Sequence, residues 1–206
     1  MNLNVPHDSV AIPYDRSERL GVGATVLELI ERARDGDRDA FGALAAASID
    51  RLYAIAVRVV HDRHGAEDAV QSALLRAWRD LPSLRDPTRF DAWLYRLLLR
   101  ACYEEAGKQR AFVANIRIVS VEPGEPDGTS RSADRDQLER AFRRLPVDQR
   151  AVVVLHHDQG LPLTEVADIL GIPVGTARSR LHYALRTLRA AVEADDRSPI
   201  SEGRTA

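Results

Sequence analysis

Residues 161–189 constrain the fold most, because they describe two short amphipathic helices joined by a turn. The first helix is predicted to begin at an N-cap on Thr164 and to end at Gly171, since glycine turns left-handed past a helix without a steric cost. The second helix repeats apolar residues at every third or fourth position, which gives a stripe that must pack on the domain: Val174, Ala177, Leu181, Leu185 and Leu188. The pattern is that of a helix-turn-helix.

The opposite side of the second helix carries side chains suited to duplex DNA. No acidic residue lies between Pro173 and Val192, whereas four arginines do. Arginine pairs with phosphates, and a helix of this kind fits the major groove. The candidate duplex-binding residues are Thr176, Arg178, Ser179, Arg180, His182, Tyr183 and Arg186. The alternative interpretation is an ordinary helical hairpin with a solvated arginine side.

Composition limits the classes of protein that fit. The 206 residues are 45% apolar and 5% aromatic, which favours helical cores, and the net charge of −2 argues against indiscriminate binding to nucleic acid. The single cysteine, Cys102, excludes an intramolecular disulfide and a multi-cysteine zinc site. No stretch approaches about 18 uninterrupted apolar residues. We therefore expect a cytoplasmic protein without a metal, a cofactor or membrane insertion.

Shifts in composition divide the chain into five parts. Residues 24–112 contain four stretches with a helical period and are expected to form one bundle. Residues 113–135 are rich in proline, glycine and acidic residues, as in flexible linkers, and residues 136–193 lead into the helix-turn-helix. The predicted fold is all-α, with two small helical domains joined by a flexible linker. Residues 1–23 should form a loose extension and residues 194–206 a disordered tail.

The third predicted helix, residues 66–81, has an outer side that suits a protein partner. When its apolar stripe faces inward, Leu75 lies outward beside Asp68, Gln71 and Arg79. An apolar anchor within a polar rim can fix the register of a partner helix. The alternative is a solvated helix side, because a single exposed leucine is common.

The fourth predicted helix, from about residue 88 to residue 110, carries aromatic residues among arginines. Projection turns these residues outward: Tyr95, Arg96, Leu99, Cys102 and Tyr103. Arg100 lies near the boundary of that side, and Lys108 and Arg110 lie at the end of the helix. Tyrosine rings stack on unpaired bases while guanidinium groups hold the backbone. The alternative is that the tyrosines shield the bundle and the arginines solvate it.

Five motifs in order resemble the extracytoplasmic-function (ECF) group of bacterial RNA polymerase sigma factors, over residues 24–191. They read DRDAFGAL, AEDAVQSALLRAW, FDAWLYR, LPVDQRAVVVLHH and LTEVADILGIPVGTARSRLHYALRTL. The resemblance implies core RNA polymerase as a partner, through the clamp helices of its largest subunit and through its flap. It also implies promoter DNA and an anti-sigma factor as partners.

The resemblance also implies roles for residues. The core-polymerase contact would comprise Glu67, Asp68, Gln71, Leu75, Arg76 and Arg79. The opened strand of the minus-10 element would be bound by Trp93, Tyr95, Arg96, Arg100, Tyr103, Lys108 and Arg110. The candidate duplex-binding residues would read the minus-35 element.

The chain departs from the family pattern on the fourth helix and before the recognition helix. Arg100 stands where the family often has asparagine, and Glu104 stands where it often has aspartate. We expect Arg100 to strengthen contact with the DNA backbone at the expense of a base-specific amide. Pro173 replaces a frequent serine, and a proline is tolerated in a first helical turn.

Two other classes of function are weaker interpretations. A DNA-binding regulator that is not a polymerase subunit would share the helix-turn-helix but would not need the AEDAVQ helix. An enzyme would need a catalytic constellation, and the candidate histidines, His61 with His64 and His156 with His157, read as helix-end residues without a metal spacing. We expect no catalysis by this chain alone.

Overall fold

The computed structural model describes residues 25–116 and 133–195, and this part of the chain contains eight α-helices and no β-strand. In chain order they are α1 (Val26–Arg34), α2 (Arg38–Val60), α3 (Arg63–Asp80), α4 (Phe90–Ile116), α5 (Ala133–Arg144), α6 (Val147–Val153), α7 (Leu163–Leu170) and α8 (Val174–Asp195). The prediction of an all-α fold is confirmed. The predicted extension, most of the predicted linker and nearly all of the predicted tail lie outside the described residues.

Side-chain caps fix where the first three helices begin. Thr25 and Glu28 form a reciprocal capping box at α1, with Thr25 N donating to Glu28 Oε2 at 2.7 Å. Asp37 accepts from the backbone of Ala40 at 3.0 Å to start α2, and Asp62 starts α3 in the same way. Each cap satisfies backbone N–H groups that have no partner within the helix.

Helices α2, α3 and α4 form the core of the N-terminal half, which we define as α1–α4. The apolar residues that repeat along α2 at every third or fourth position include Leu44, Leu52 and Ile55, all 0% exposed. A row of alanines on α3 lets α4 approach closely, and all four are 0% exposed: Ala66, Ala69, Ala73 and Ala77. By length and composition α2 could also cross a membrane, but most of its large apolar residues belong to the core of this bundle.

Several predicted helix boundaries were wrong by a few residues. Helix α4 follows a 3-10 turn at Pro87–Arg89 and continues to Ile116, beyond the predicted end near residue 110. The predicted N-cap at Thr164 is wrong, because the Pro162 carbonyl accepts from Glu165 N at 2.9 Å and from Val166 N at 3.0 Å. Thr164 therefore lies within the first turn of α7. Helix α6 passes into a π-helical turn at Val154–Asp158 before the loop that leads to α7.

The C-terminal half, α5–α8, packs directly on the N-terminal half. Helix α6 lies against the end of α2, and α7 lies against α4. An ion pair joins Arg58 Nε to Asp158 Oδ2 at 2.6 Å across this boundary. The Arg58 guanidinium also lies 5.1 Å from the centre of the Phe142 ring on α5, within cation–π range.

Arg150 on α6 connects the ends of two helices. Arg150 is only 9% exposed, and its guanidinium donates from Nε to Val59 O at 2.7 Å, near the end of α2. Its Nη1 donates to Arg143 O and to Leu145 O, both at 3.1 Å, at the end of α5. Carbonyls at a helix end lack partners within the helix and carry partial negative charge. One buried cation thus satisfies carbonyls from both halves.

Arg150→Leu should lower the free energy of unfolding by about 2–4 kcal/mol, because it leaves buried carbonyls without donors. The measurement is the urea unfolding midpoint followed by circular dichroism. Arg140→Leu, at an exposed position on α5, is the matched control and should change it little. Equal midpoints for the two variants would contradict this role of Arg150.

Candidate nucleic-acid and polymerase interfaces

The helix-turn-helix has the predicted turn. Gly171 ends α7 with φ of 65° and ψ of 35°, the left-handed conformation that glycine adopts without strain. The Pro173 carbonyl then accepts from Thr176 N at 2.9 Å and from Ala177 N at 3.1 Å. Pro173 therefore begins α8 without loss of a backbone bond, as expected for a proline at a helix start.

Helix α8 buries one side and exposes the other. Ala177 and Ala184 are 0% exposed and Leu181 is 8% exposed, which confirms the predicted inward side. The opposite side exposes these candidate duplex-binding residues: Arg178, Ser179, His182, Tyr183 and Arg186. Tyr183 is 55% exposed, and its ring lies edge-on to that of His182 with the ring centres 5.7 Å apart.

Arg180 is the exception among the cations of α8. Its Nε lies 3.0 Å from Asp148 Oδ2 on α6, and its side chain is only 28% exposed. The pair ties the recognition helix to α6. Ser179 is exposed, but its hydroxyl donates to Thr176 O at 3.0 Å. These two side chains already have partners within the C-terminal half.

The predicted docking side of α3 is open. Leu75 is 64% exposed, which confirms its expected outward position. The neighbouring candidates Glu67, Asp68, Gln71 and Arg79 are also exposed. Arg79 is held by its neighbour Asp80, with Nε 2.7 Å from Oδ1.

Arg76 differs from the other candidates on α3. Its guanidinium turns to α4 and donates from Nη1 to Glu104 Oε1 at 3.1 Å. A second bond joins Nη2 to Glu104 Oε2, so the pair is bidentate. The Arg76 side chain is 27% exposed.

The expectation that Tyr95, Leu99 and Cys102 face outward is wrong. Their exposed fractions are 5%, 2% and 0%, because α6 and α7 lie against this side of α4 and because the Arg51 guanidinium on α2 lies 5.2 Å from the centre of the Tyr95 ring. The Tyr95 hydroxyl donates to Gln159 Oε1, in the loop before α7, at 3.2 Å. Burial raises the pKa of the Cys102 thiol to about 12.

Arg96 binds the end of α7. It donates from Nη2 to Asp168 O at 2.8 Å and from Nε to Ile169 O at 3.4 Å. A cation at the negative end of a helix dipole is favourable, so Arg96 serves as a cap for α7. Arg89 adds an ion pair with the Asp168 carboxylate at 3.2 Å.

The remaining minus-10 candidates differ in exposure. Arg100, Lys108 and Arg110 are exposed, although Lys108 is paired with Glu105 at 2.7 Å. Trp93 is half-buried with its ring centre 5.9 Å from that of Phe90. Burial raises the pKa of Tyr103 to about 12, and its hydroxyl has no hydrogen-bond partner among the described residues.

A cleft of about 520 Å³ separates parts of α4 and α7. Its floor is apolar and its walls carry two arginines and a carboxylate. The lining residues are Arg96, Leu99, Arg100, Tyr103, Glu104, Ile169 and Leu170. Four of them belong to the minus-10 candidates or to the positions where the chain departs from the family pattern.

Two of the histidines weighed as catalytic candidates, His61 and His156, have structural surroundings. His61 ends α2 in the left-handed conformation, with φ of 62°, and its ring packs edge-on against Phe142. Burial, together with Arg150, Arg143 and Arg58, lowers its pKa to about 4. His156 Nδ1 lies 2.7 Å from Leu161 O. Within residues 25–116 and 133–195, no cluster of three metal-ligating side chains forms.

Comparisons with known proteins place both halves in one family. The description "Sigma-70 region 2" matches residues 44–112, and "Sigma-70, region 4" matches residues 135–188. The ECF RNA polymerase sigma factor SigM of Mycobacterium tuberculosis is 33% identical over 153 residues, covering 74% of this chain and 77% of the relative. The RNA polymerase sigma-H factor of Pseudomonas aeruginosa is 29% identical over 179 residues, covering 81% of this chain and 93% of the relative.

Solved structures share the fold. CnrH, in complex with the cytosolic domain of CnrY, matches with a TM-score of 0.61 and 26% identity, over 82% of this chain and 97% of CnrH. The sigma factor RpoE of Bartonella quintana, in complex with the anti-sigma factor NepR, matches with the same TM-score and identity over 75% of this chain and 98% of RpoE. Since the sequence motifs, the helix-turn-helix and both family matches agree, the chain belongs to the ECF sigma factors and recognises promoters for RNA polymerase.

Proposed function

We propose that this sigma factor divides promoter recognition between its two halves. Helix α8 reads the minus-35 duplex, α4 binds the opened minus-10 strand, and the exposed side of α3 docks on the clamp helices of the polymerase. The C-terminal half also contacts the polymerase flap. The chain acts in the cytoplasm without a cofactor, and the polymerase supplies the catalysis.

The exposed side chains of α8 are the main support for this proposal. Arg178, Tyr183 and Arg186 are exposed on one side of a helix whose other side is packed, and neither arginine forms an ion pair with a carboxylate of residues 25–116 or 133–195. Such a side presents cations to phosphates and an aromatic ring to base edges. Arg180, which is paired with Asp148, contributes less to DNA in this proposal than its position in the sequence suggests.

Binding of the minus-10 strand requires the halves to separate. Tyr95 is buried and bonded to Gln159, so it cannot stack on a base while α7 stays in place, and two nitrogens of Arg96 are engaged by carbonyls at the end of α7. DNA and water can replace the hydrogen bonds across this boundary, but separation also exposes buried apolar side chains such as Leu99 and Ile169, a cost that docking on polymerase has to offset. We call this packing of α7 on α4 the closed arrangement, and docking on polymerase would open it.

An anti-sigma factor is part of the proposal. The similar structures of CnrH and RpoE are complexes with CnrY and NepR, and NepR is named as an anti-sigma factor. The cleft between α4 and α7 has the chemistry for an amphipathic segment of such a partner. Leu99 and Leu170 offer an apolar floor, while Arg96 and Arg100 offer cations to acidic side chains.

The function is tested by transcription with purified core polymerase. Templates come from mapping the transcription start sites that appear when the protein is overproduced. Core polymerase alone should not initiate on these templates, and addition of the chain should confer initiation. DNA binding without initiation at any of these sites would favour a regulator that is not a polymerase subunit.

Arg178→Ala should weaken duplex binding uniformly across sequences and reduce the slope of log K against log salt by about 0.9, the value for one lost phosphate contact. The measurement is a salt titration of minus-35 duplex binding by fluorescence anisotropy. Arg140→Ala, an exposed arginine on α5, is the control and should leave the slope unchanged. If the two variants give the same slope, α8 does not face phosphates at Arg178.

A reversible cross-link tests the closed arrangement. Arg89 and Asp168 are paired across it and are 55% and 63% exposed, so cysteines at both positions are accessible to a short reducible cross-linker in a Cys102→Ala background. The cross-linked chain should fail to open promoters with core polymerase, and reduction of the linker should restore opening. Full activity of the cross-linked chain would contradict the need for α7 to leave α4.

A further inference from the structure

Three charged residues join the polymerase-facing helix to the strand-binding helix. Arg76 on α3 forms two bonds with Glu104 on α4, and Arg100 Nε lies 3.6 Å from Glu104 Oε1, one turn earlier on α4. We call these residues the bridging triad. Glu104 accordingly lies between an arginine assigned by resemblance to polymerase and an arginine assigned to DNA.

The contacts of Glu104 are unequal. The hydrogen bonds from Arg76 are the main reason that the pKa of Glu104 lies below its usual value, and Arg100 contributes a weaker attraction. The same bonds raise the pKa of Arg76. Both partners of the pair are therefore charged at neutral pH, and the positive charge of Arg76 neutralises that of Glu104.

The two α4 members of the triad, Arg100 and Glu104, lie on the side of α4 where the DNA backbone is expected once α7 has left. Glu104 and Arg100 line the cleft between α4 and α7, and their side chains are 43% and 76% exposed. A carboxylate at this place repels phosphates and competes with them for Arg100. The bidentate pair with Arg76 offsets the charge of Glu104, so the net charge of the three side chains is +1, and Arg100 presents it to the cleft.

We propose that Glu104 sets how strongly α4 holds the backbone of the opened strand, and that Arg76 acts by neutralising Glu104 and not by contacting polymerase. The inference rests on the proposed function, because it assumes that α4 binds the opened strand. It makes Arg76 and Glu104 positioning residues for Arg100. It also gives the departure at Glu104 a physical role.

The test is a double-mutant cycle read on two separate properties. The variants are Arg76→Ala, Glu104→Gln and the two combined, with Arg79→Ala on the same helix as the matched control. One readout is affinity for core polymerase. The other is affinity of holoenzyme, formed with saturating core, for an oligonucleotide carrying the non-template minus-10 strand of a promoter that the wild type activates.

Arg76→Ala should weaken binding of the oligonucleotide about two- to fivefold, the scale of one partly exposed charge pair, with affinity for core unchanged. Glu104→Gln should tighten it by a similar factor and steepen its salt dependence by about 0.7, the value for one added contact to a single strand. The combined variant should bind as tightly as Glu104→Gln, because Arg76 has no role left once position 104 is uncharged. Arg76→Lys, which keeps the charge, should restore part of the loss.

Two results would overturn the inference. One is a loss of core affinity in Arg76→Ala as large as that in Arg79→Ala, because Arg76 would then be a docking residue. The other is a Glu104→Gln variant with unchanged affinity and salt dependence for the oligonucleotide. The proposed function is judged separately on the wild type, whose holoenzyme must bind the oligonucleotide more tightly than core alone does.

Discussion

The packing of α7 on α4 is the interaction on which the arrangement of the chain depends. One side of α4 has to serve two partners, since Arg96 and Tyr95 are candidates for the minus-10 strand and also hold the C-terminal half in place. In the closed arrangement Arg96 pairs with carbonyls at the end of α7, and the Tyr95 hydroxyl bonds to the side-chain amide of Gln159. In our proposal DNA and water replace these partners after α7 leaves. The same side chains can therefore stabilise the closed arrangement and, in our proposal, the DNA complex.

Charge placement in this molecule is decided by pairing as much as by sequence position. Arg150 donates to carbonyls at the ends of α2 and α5, Arg180 pairs with Asp148, and Arg76 pairs with Glu104. The exposed arginines of α4 and α8 are therefore fewer than the arginines in their sequences. Arg100 and Arg110 on α4 and Arg178 and Arg186 on α8 stay exposed on the surfaces proposed to meet DNA, whereas other exposed arginines such as Arg140 lie elsewhere.

The sequence predicted the helices and their packed sides well, because helical periodicity is a local signal. The buried side of α2, the turn at Gly171 and the exposed Leu75 follow from spacing and from the chemistry of glycine. It failed at Tyr95, Leu99 and Cys102, since what covers a second side of a helix depends on a contact distant in sequence. One signal was present, because apolar residues run almost all round this part of α4, as in helices buried on two sides.

The distance between α4 and α7 during promoter opening decides whether α7 must leave α4 before the strand binds. Spin labels at positions 89 and 168, in a chain without Cys102, report that distance by pulsed electron resonance. The account predicts a short, narrow distribution in the free chain and a longer one in holoenzyme bound to an open promoter. A short distance that persists in an open complex would show that α4 binds the strand without release of α7, and would contradict the account.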